Sequence, residues 1–473
     1  MVAKRAGKKL SGKVLDRMKA ILPRQYIAIS AILIVLIMTV LDVTVVNVAI
    51  PVLAVEFGIS DSLSVWIVTI YELIITMLIL PLSSLGDMYS YRRTFLTGVV
   101  LFTLSSALCA ASQGFAMIIA ARALQGIGAA CVMSVNIALT RLIYPKEMLG
   151  RGLALNGMVI ASATAAGPTI AGALLSIASW HWLFLINVPL GCLAWSIGKR
   201  NLPSNPSRKV HRKFDWISAI ANVAFFGILF LALGGYKARN DEPRLFAMLA
   251  VCLIIGIIYI RRERHRSEPM LPVDLFRIRL FSLSIATSVC SFIAQMLAMV
   301  SMPFLLMNSY GYSSITTGLL MTPWPAATMI CSPLAARFVE RHNAGTTAAA
   351  GMLVFAVGLL MLIFIPAEGT SPLGIAWRMA LCGIGYGIFQ TPNNIMMVSS
   401  TPISRSGGAG GMQSTARLVG QTLGATLVTI IFAITAAPTI SMVHNCLAAA
   451  IAAALTAALF SISRRPNSTS AKS

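Results

Sequence analysis

The chain has 473 residues, 57% of them hydrophobic and only 11% charged, with a mean hydropathy of +0.81. A soluble domain covers itself with roughly 25% charged residues, so that class is excluded. The net charge of +22 would point to nucleic acid if it formed a patch on a soluble fold, but here the basic residues lie between apolar runs.

A helix that crosses the hydrocarbon core needs about 20 mostly apolar residues. Runs of that kind are predicted over 27–50, 62–82, 94–112, 115–139, 152–176, 182–199, 216–235, 245–260, 281–306, 315–336, 345–365, 376–397, 411–434 and 442–462, fourteen in all. Loop charge orients them, because cytoplasmic loops keep an excess of Lys and Arg. With the N-terminus inside, the outside loops hold only Lys237, Arg239 and Arg244, while Arg122, Arg378 and Arg417 lie within spans. All other basic residues fall inside, so both termini are expected in the cytoplasm. The basic segment 1–26 lacks the short apolar core and cleavage site of a removable signal. Leu10, Val14, Met18 and Ile21 recur in it at helical spacing, which leaves two readings open: a helix lying on an anionic leaflet or a disordered positive-inside tail.

Basic segments from Lys199 to Asp215 and from Arg261 to Arg279 isolate spans seven and eight. The expected fold is therefore all-α and integral to the membrane, arranged as six plus two plus six: a tail over 1–26, a six-helix bundle over 27–200, a linker with two further spans over 201–280, a second bundle over 281–462 and a tail over 463–473. Spans five and thirteen share a richness in small residues, and the loops after spans two and ten share charged residues, including Asp87 with Arg92 and Arg93 in one and Arg337, Glu340 and Arg341 in the other. Internal repeats of this kind build many transporters, with the substrate site between the halves. The eight cysteines fall singly in or beside apolar stretches, without metal or redox spacing, and read as small buried residues. Trp66, Trp180, Trp182 and Trp216 lie near span ends and read as interface anchors. His181 and His444 fall at outer ends, with a solvated or interfacial role expected ahead of proton relay.

Ionisable residues within the hydrocarbon are costly and mark functional positions. Asp42 and Arg122 lie about eight and seven residues below the outer ends of spans one and four, hence roughly 10–12 Å deep at about 1.5 Å per residue, and so are able to pair. Burial disfavours a charged carboxylate and a nearby guanidinium favours it. Movement of Arg122 would thus change whether Asp42 is balanced by an arginine or a proton; the alternative is a static ion pair holding helices together. Glu72 shares a helix face with Thr69 and Thr76 and is read as a counter-charge for a cationic substrate, as a second proton site, or as a glutamate facing a watery vestibule. Gln125 and Gly126 follow Arg122 on its own face. Arg417, with Gln413 and Gln421 one turn to either side, makes a polar stripe that fits a cavity wall or an anchor at the inner mouth. Pro168 within span five removes a backbone hydrogen bond, and the small residues around it allow close helix approach, either at an interface between moving bundles or as ordinary packing.

Several stretches carry a family resemblance. Leu41-Asp42-Val43-Thr44-Val45-Val46-Asn47-Val48-Ala49-Ile50-Pro51, Arg122-Ala123-Leu124-Gln125-Gly126-Ile127-Gly128-Ala129-Ala130 and Gly167-Pro168-Thr169-Ile170-Ala171-Gly172 resemble the first-, fourth- and fifth-helix motifs of the fourteen-span drug:proton antiporters in the major facilitator superfamily. Trp180 to Gly191, and Ser406 to Met412 with Arg417 and Gly420-Gln421, are similar to further stretches of that branch. The whole chain resembles enterobacterial-type members whose substrate is not assigned. The loop after span two departs from the family pattern, with Ser83, Ser90 and Tyr91 where glycines and a basic residue are usual. Span ten also lacks the acid found in relatives that handle dications.

The resemblance implies a carrier in a bacterial inner membrane that exports small amphipathic, cationic compounds in exchange for protons, as a monomer, by rocking of two halves. Proton coupling is expected at Asp42, Arg122 and Glu72. Substrate contacts are expected at Glu72, Asp42, Asn47, Thr69, Gln125, Arg417 and Gln421, and gating at Asp87, Arg92, Arg93, Gly167, Pro168 and Gly172. The expected partners are the substrate, protons and the lipid bilayer; no cofactor, metal or nucleic acid is expected, and no enzyme activity. Proton-linked transport of an endogenous metabolite or peptide is the alternative. An intramembrane enzyme would need clustered acid, His or Cys groups at one depth, and a channel would need a filter segment or a charged ring.

Overall fold

Backbone polar groups inside a bilayer have no water to bond, so each apolar run closes its own hydrogen bonds as a helix. The computed structural model describes residues 2–144, 149–203, 214–234, 242–266, 271, 273–339, 343–365, 371–401, 406–435 and 439–464, and no strand occurs among them. Glu340 and Arg341 of the loop after span ten lie outside the described residues. The first group of helices is α1 (Val2–Glu56), α2 (Asp61–Ser64), α3 (Trp66–Met88), α4 (Tyr91–Ala110), α5 (Phe115–Ile143), α6 (Leu149–Ile177), α7 (Trp182–Leu185) and α8 (Asn187–Asn201). Then come α9 (Trp216–Gly234) and α10 (Glu242–Arg264), followed by α11 (Arg279–Phe304), α12 (Ser314–Met321), α13 (Pro323–Val339), α14 (Ala344–Ile363), α15 (Pro372–Ser399), α16 (Ser406–Ile434) and α17 (Thr439–Ile462).

Among the described residues thirteen helical stretches are long and apolar enough to cross a membrane. The tenth expected span, 315–336, is instead broken into α12 and α13 at Thr322. Pro323 supplies no N–H to the turn before it, while Thr322 keeps helical dihedrals at φ −62 and ψ −35 and turns its hydroxyl back to the Gly318 carbonyl at 2.8 Å. The sixth span is likewise divided at Ile186, between α7 and α8. The first is longer than expected and reaches Glu56, where Gly58 at φ +60 turns the chain. The ninth continues past Phe304 as a π-helical turn, Leu305–Ser309.

The two groups of six spans meet through packing that the sequence marks with small residues. A Cβ added at Gly172 of α6 would lie 2.7 Å from the Ser314 carbonyl oxygen and 2.8 Å from the Ile315 Cα, and one at Gly318 of α12 would strike the Pro168 carbonyl. Thr169 and Thr322 share a hydrogen bond of 2.6 Å across the same seam, and Thr76 of α3 meets Thr422 of α16 at 3.1 Å. One apolar cluster includes Val46, Ile50 and Leu53 of α1 together with Leu297, Val300 and Phe304 of α11, joining the halves on the side away from the chain ends. Helix α9 packs against α3 and α16, one from each half, while α10 packs on α9. The outer flank of α10 leaves Leu253, Ile254 and Ile258 exposed, as a lipid-facing helix requires.

Two side-chain expectations are corrected. Cys192 is exposed rather than buried, while the other cysteines are buried or partly buried and all eight are free. Trp180 is 5% exposed and packs edge-on against Phe57 and Phe184, so it is a core residue and not an interface anchor. Its position at a span end misleads because the turn into α7 folds back over it. Trp182 and Trp216, at 54% and 67%, do face outward.

Candidate functional site

Asp42 of α1 and Arg122 of α5 meet as a buried ion pair, both side chains fully shielded. The Asp42 Oδ2 accepts from Arg122 Nη1. Its Oδ1 accepts from Gln125 Nε2 at 2.8 Å and from Asn187 Nδ2 at 3.3 Å. Arg122 also donates from Nε to the Ile67 carbonyl at 2.9 Å and from Nη1 to Gln125 Oε1 at 2.6 Å. Gln125 Nε2 donates further to Ser106 Oγ at 2.9 Å. The guanidinium lies over the Tyr71 ring at 4.2 Å, an arrangement favourable for a desolvated cation. Its Nη2 makes no hydrogen bond. Five helices, α1, α3, α4, α5 and α8, thus contribute to one network around the Asp42 carboxylate.

Helical spacing explains part of this convergence. Residues three apart share a face, so Arg122 and Gln125 reach Asp42 together, with Gly126 beside them. A Cβ at Gly126 would lie 2.9 Å from the Tyr71 carbonyl oxygen, so the glycine lets α5 approach α3 closely enough to lay the guanidinium on the ring of Tyr71. Asn187 and Ser106, with the Ile67 carbonyl, were not singled out from sequence. Asn187 did carry a signal, as an amide in an otherwise apolar run, but only folding brings α8 against α1.

Glu72 stands one residue beyond Tyr71 and is 1% exposed, and neither carboxylate oxygen has a hydrogen-bond partner among the described residues. Arg122 and Arg417 are the charged groups whose fields reach it. Thr69 and Thr76 are buried on the same helix, but their hydroxyls bond back to the Val65 and Glu72 carbonyls at 3.1 and 2.8 Å; Thr76 also reaches Thr422. Asn47 is buried with its Oδ1 unpaired. Arg417, Gln413 and Gln421 are all partly exposed along α16, on the other half from Asp42. The expected site residues therefore form two groups, a closed network around Asp42 and a looser polar face shared by α3 and α16.

The gating positions behave differently from one another. Gly167 packs α6 onto α1, where a Cβ would strike the Thr44 side chain, while Pro168 and Gly172 face α12. Ser90 caps α4 by accepting from the Arg93 amide at 3.4 Å, and the Tyr91 hydroxyl donates to Asp87 at 2.5 Å. Two of the three departures from the family loop, Ser90 and Tyr91, thus give α4 a cap and Asp87 a partner. Arg92 donates to the Lys199 carbonyl at the end of α8, within its own half, and Arg93 is exposed. Among the described residues no three His, Cys, Asp or Glu side chains gather as a metal site requires.

A bundle of membrane-spanning helices in two halves, with a buried charge network inside the first of them, is the architecture of a secondary transporter. A profile of the Major Facilitator Superfamily matches residues 32–273 and 283–473, and the chain belongs to that family. It is 49% identical over 410 residues to the uncharacterized transporter YebQ of Escherichia coli (strain K12), covering 87% of this chain and 90% of that one. It is 30% identical over 380 residues to the multidrug resistance protein Stp of Mycobacterium tuberculosis (strain CDC 1551 / Oshkosh), covering 80% of this chain and 70% of the relative. The fold is similar to a crystal structure of a POT family transporter in complex with 5-aminolevulinic acid, with a TM-score of 0.68 at 15% identity, covering 92% and 96% of the two chains. The protein is a multi-pass membrane transporter and not an enzyme.

Proposed function

We propose that the protein is a proton-coupled antiporter of the bacterial inner membrane that exports small amphipathic cations by alternating access, with both termini in the cytoplasm. The Asp42–Arg122 pair carries this reading. Two charges held in an apolar bundle are costly, and Gln125 and Asn187 keep the carboxylate in place whether or not the guanidinium stays on it. Proton binding to Asp42 removes its charge and releases Arg122 toward its other acceptors, the Ile67 carbonyl and Gln125 Oε1. Proton loss draws it back. Glu72, with no hydrogen-bond partner of its own, offers the counter-charge for a cationic substrate, and Arg417 with Gln421 borders the path from the other half. The multidrug resistance name of a 30% identical relative supports the substrate class.

The test is reconstitution in liposomes with a pH-sensitive dye inside, an imposed proton gradient, and a panel of lipophilic cations and neutral compounds. Substrate-dependent proton flux that disappears in Asp42→Asn, with insertion unchanged, is the expected result. Wild-type-like exchange in Asp42→Asn would remove the coupling role. Silence of the wild-type protein across the panel would make an endogenous metabolite or peptide the leading cargo.

A further inference from the structure

Asn222 lies in the middle of α9, one of the two helices outside the six-plus-six plan, and it is fully buried. An amide in an apolar helix costs free energy unless it bonds. Its Nδ2 donates at 2.7 Å to the carbonyl of Met77 in α3. In an uninterrupted α-helix that carbonyl would accept from the amide four residues on. Residue 81 is proline, which has no N–H to give. The carbonyl can only accept, so the amide must present its NH2. Asn222 therefore supplies, from a neighbouring helix, the hydrogen bond that Pro81 denies to α3. Close packing holds it there: a Cβ at Gly227, just over one turn along α9, would lie 3.1 Å from Met77 Cε.

The other ends of these helices are tied down as well. Ser218 Oγ donates to Glu263 Oε1 at 2.6 Å, joining α9 to α10. The Leu271 amide donates to Glu263 Oε2 at 3.2 Å, and Leu271 packs against apolar clusters of both halves. Asp215 holds Arg262 and Arg266 at 3.1 and 2.8 Å. The hairpin is thus anchored at its base and presents one amide to the Met77 carbonyl of α3.

We infer that Asn222 is a positioning residue for transport: it completes the backbone hydrogen bonding of α3 where Pro81 lacks an N–H, and so sets where Glu72 and Thr76 stand against α16. Met77 follows Thr76 directly, and Thr76 meets Thr422 across the seam. A change in the course of α3 at residue 77 would be felt at both. On this reading the two additional helices brace α3 at the turn that Pro81 leaves unbonded and are more than a tether between bundles. The transport half of the inference rests on the proposed function; the structural half does not.

A double-mutant cycle of Asn222→Ala and Pro81→Ala tests both halves. Pro81→Ala restores an N–H to the bare carbonyl, which makes Asn222 redundant. In detergent-solubilised protein, Asn222→Ala should lower Tm by about 1–3 °C in the wild-type background and by much less in the Pro81→Ala background. In liposomes, exchange should fall about three- to ten-fold in Asn222→Ala and recover when Pro81→Ala is added. Asn222→Gln, which keeps the donor on a longer stem, should fall between. Equal losses of Tm in both backgrounds, or none in either, would overturn the backbone role. A Tm cycle as expected with exchange unaffected in every variant would overturn positioning. A Tm cycle as expected with wild-type protein that drives no proton flux would leave the brace standing and count against the proposed function instead.

Discussion

Arg122 holds Asp42 in a place that no solvent reaches, and Gln125 bonds to both of them. The pair is therefore part of a network in which each member has a second partner, so removing one member leaves a charge buried with incomplete compensation. Arg122→Ala should cost about 3–5 kcal/mol and reduce the yield of folded protein. Asp42→Asn should cost less, because Arg122 keeps the Ile67 carbonyl, Gln125 Oε1 and the Tyr71 ring. A double-mutant cycle with Asp42→Asn and Arg122→Gln, read by thermal unfolding, should return a coupling of about 2–3 kcal/mol; additivity would show that the two charges do not sense each other.

Glu72 presents the opposite case. With both oxygens unpaired, its carboxylate gives the folded protein little, and Glu72→Gln should hold or raise Tm, because a neutral amide is cheaper to bury than a charge. Transport of cations should fall by at least about tenfold, the equivalent of one lost charge contact, while neutral substrates continue. Equal loss for both would move Glu72 from recognition to coupling.

The seam between α6 and α12 has no room for a side chain at Gly172 or Gly318. Gly318→Ala would push a methyl against the Pro168 carbonyl and Gly172→Ala against Ser314 and Ile315, costing about 1–3 kcal/mol each and driving the helices apart. Exchange should drop, and a cysteine introduced at Ser314 should label faster from the side away from the chain ends. Unchanged labelling would show that this contact does not close that side. The Gly167→Ala defect should ease when Thr44→Gly is added, since Thr44 is the side chain in its way.

At the base of the additional hairpin, burial opposes ionisation of Asp215, but hydrogen bonds from Ser218 and Arg262 and the charge of Arg266 outweigh it and hold the carboxyl below its ordinary range. A carboxyl held lower in the folded than in the unfolded state stabilises above the unfolded value near 3.8 and loses that contribution as pH falls through the folded value. The two arginines are 34% and 37% exposed, so the contribution at neutral pH is only about 0.5–1 kcal/mol. Asp215→Asn should therefore lower Tm slightly at pH 7 and converge with wild type only as pH falls well below 3.8. A constant offset at all pH values would place its role in packing rather than charge.

The apolar runs, their number and their connection by charged loops are properties of the sequence alone, because a bilayer demands about 20 residues of helix wherever the chain crosses it. The same rule marked Asp42, Glu72, Arg122 and Arg417, since an ionisable residue inside such a run is too costly to be incidental. Contacts between distant segments were not legible. Asn187 joins Asp42 only because α8 packs on α1, and Asn222 matters only because α9 lies against the carbonyl that Pro81 leaves bare. The break at Thr322 was written locally in Pro323, yet its use as a landing place for Thr169 depended on α6. Helix formation in a membrane is settled by local hydrophobicity and backbone bonding, whereas the partner of each buried polar group is chosen by which helices pack together. For that reason the sequence determined where the costly groups lie, and only the tertiary structure decided which of them are bonded and which, like Glu72, are left open.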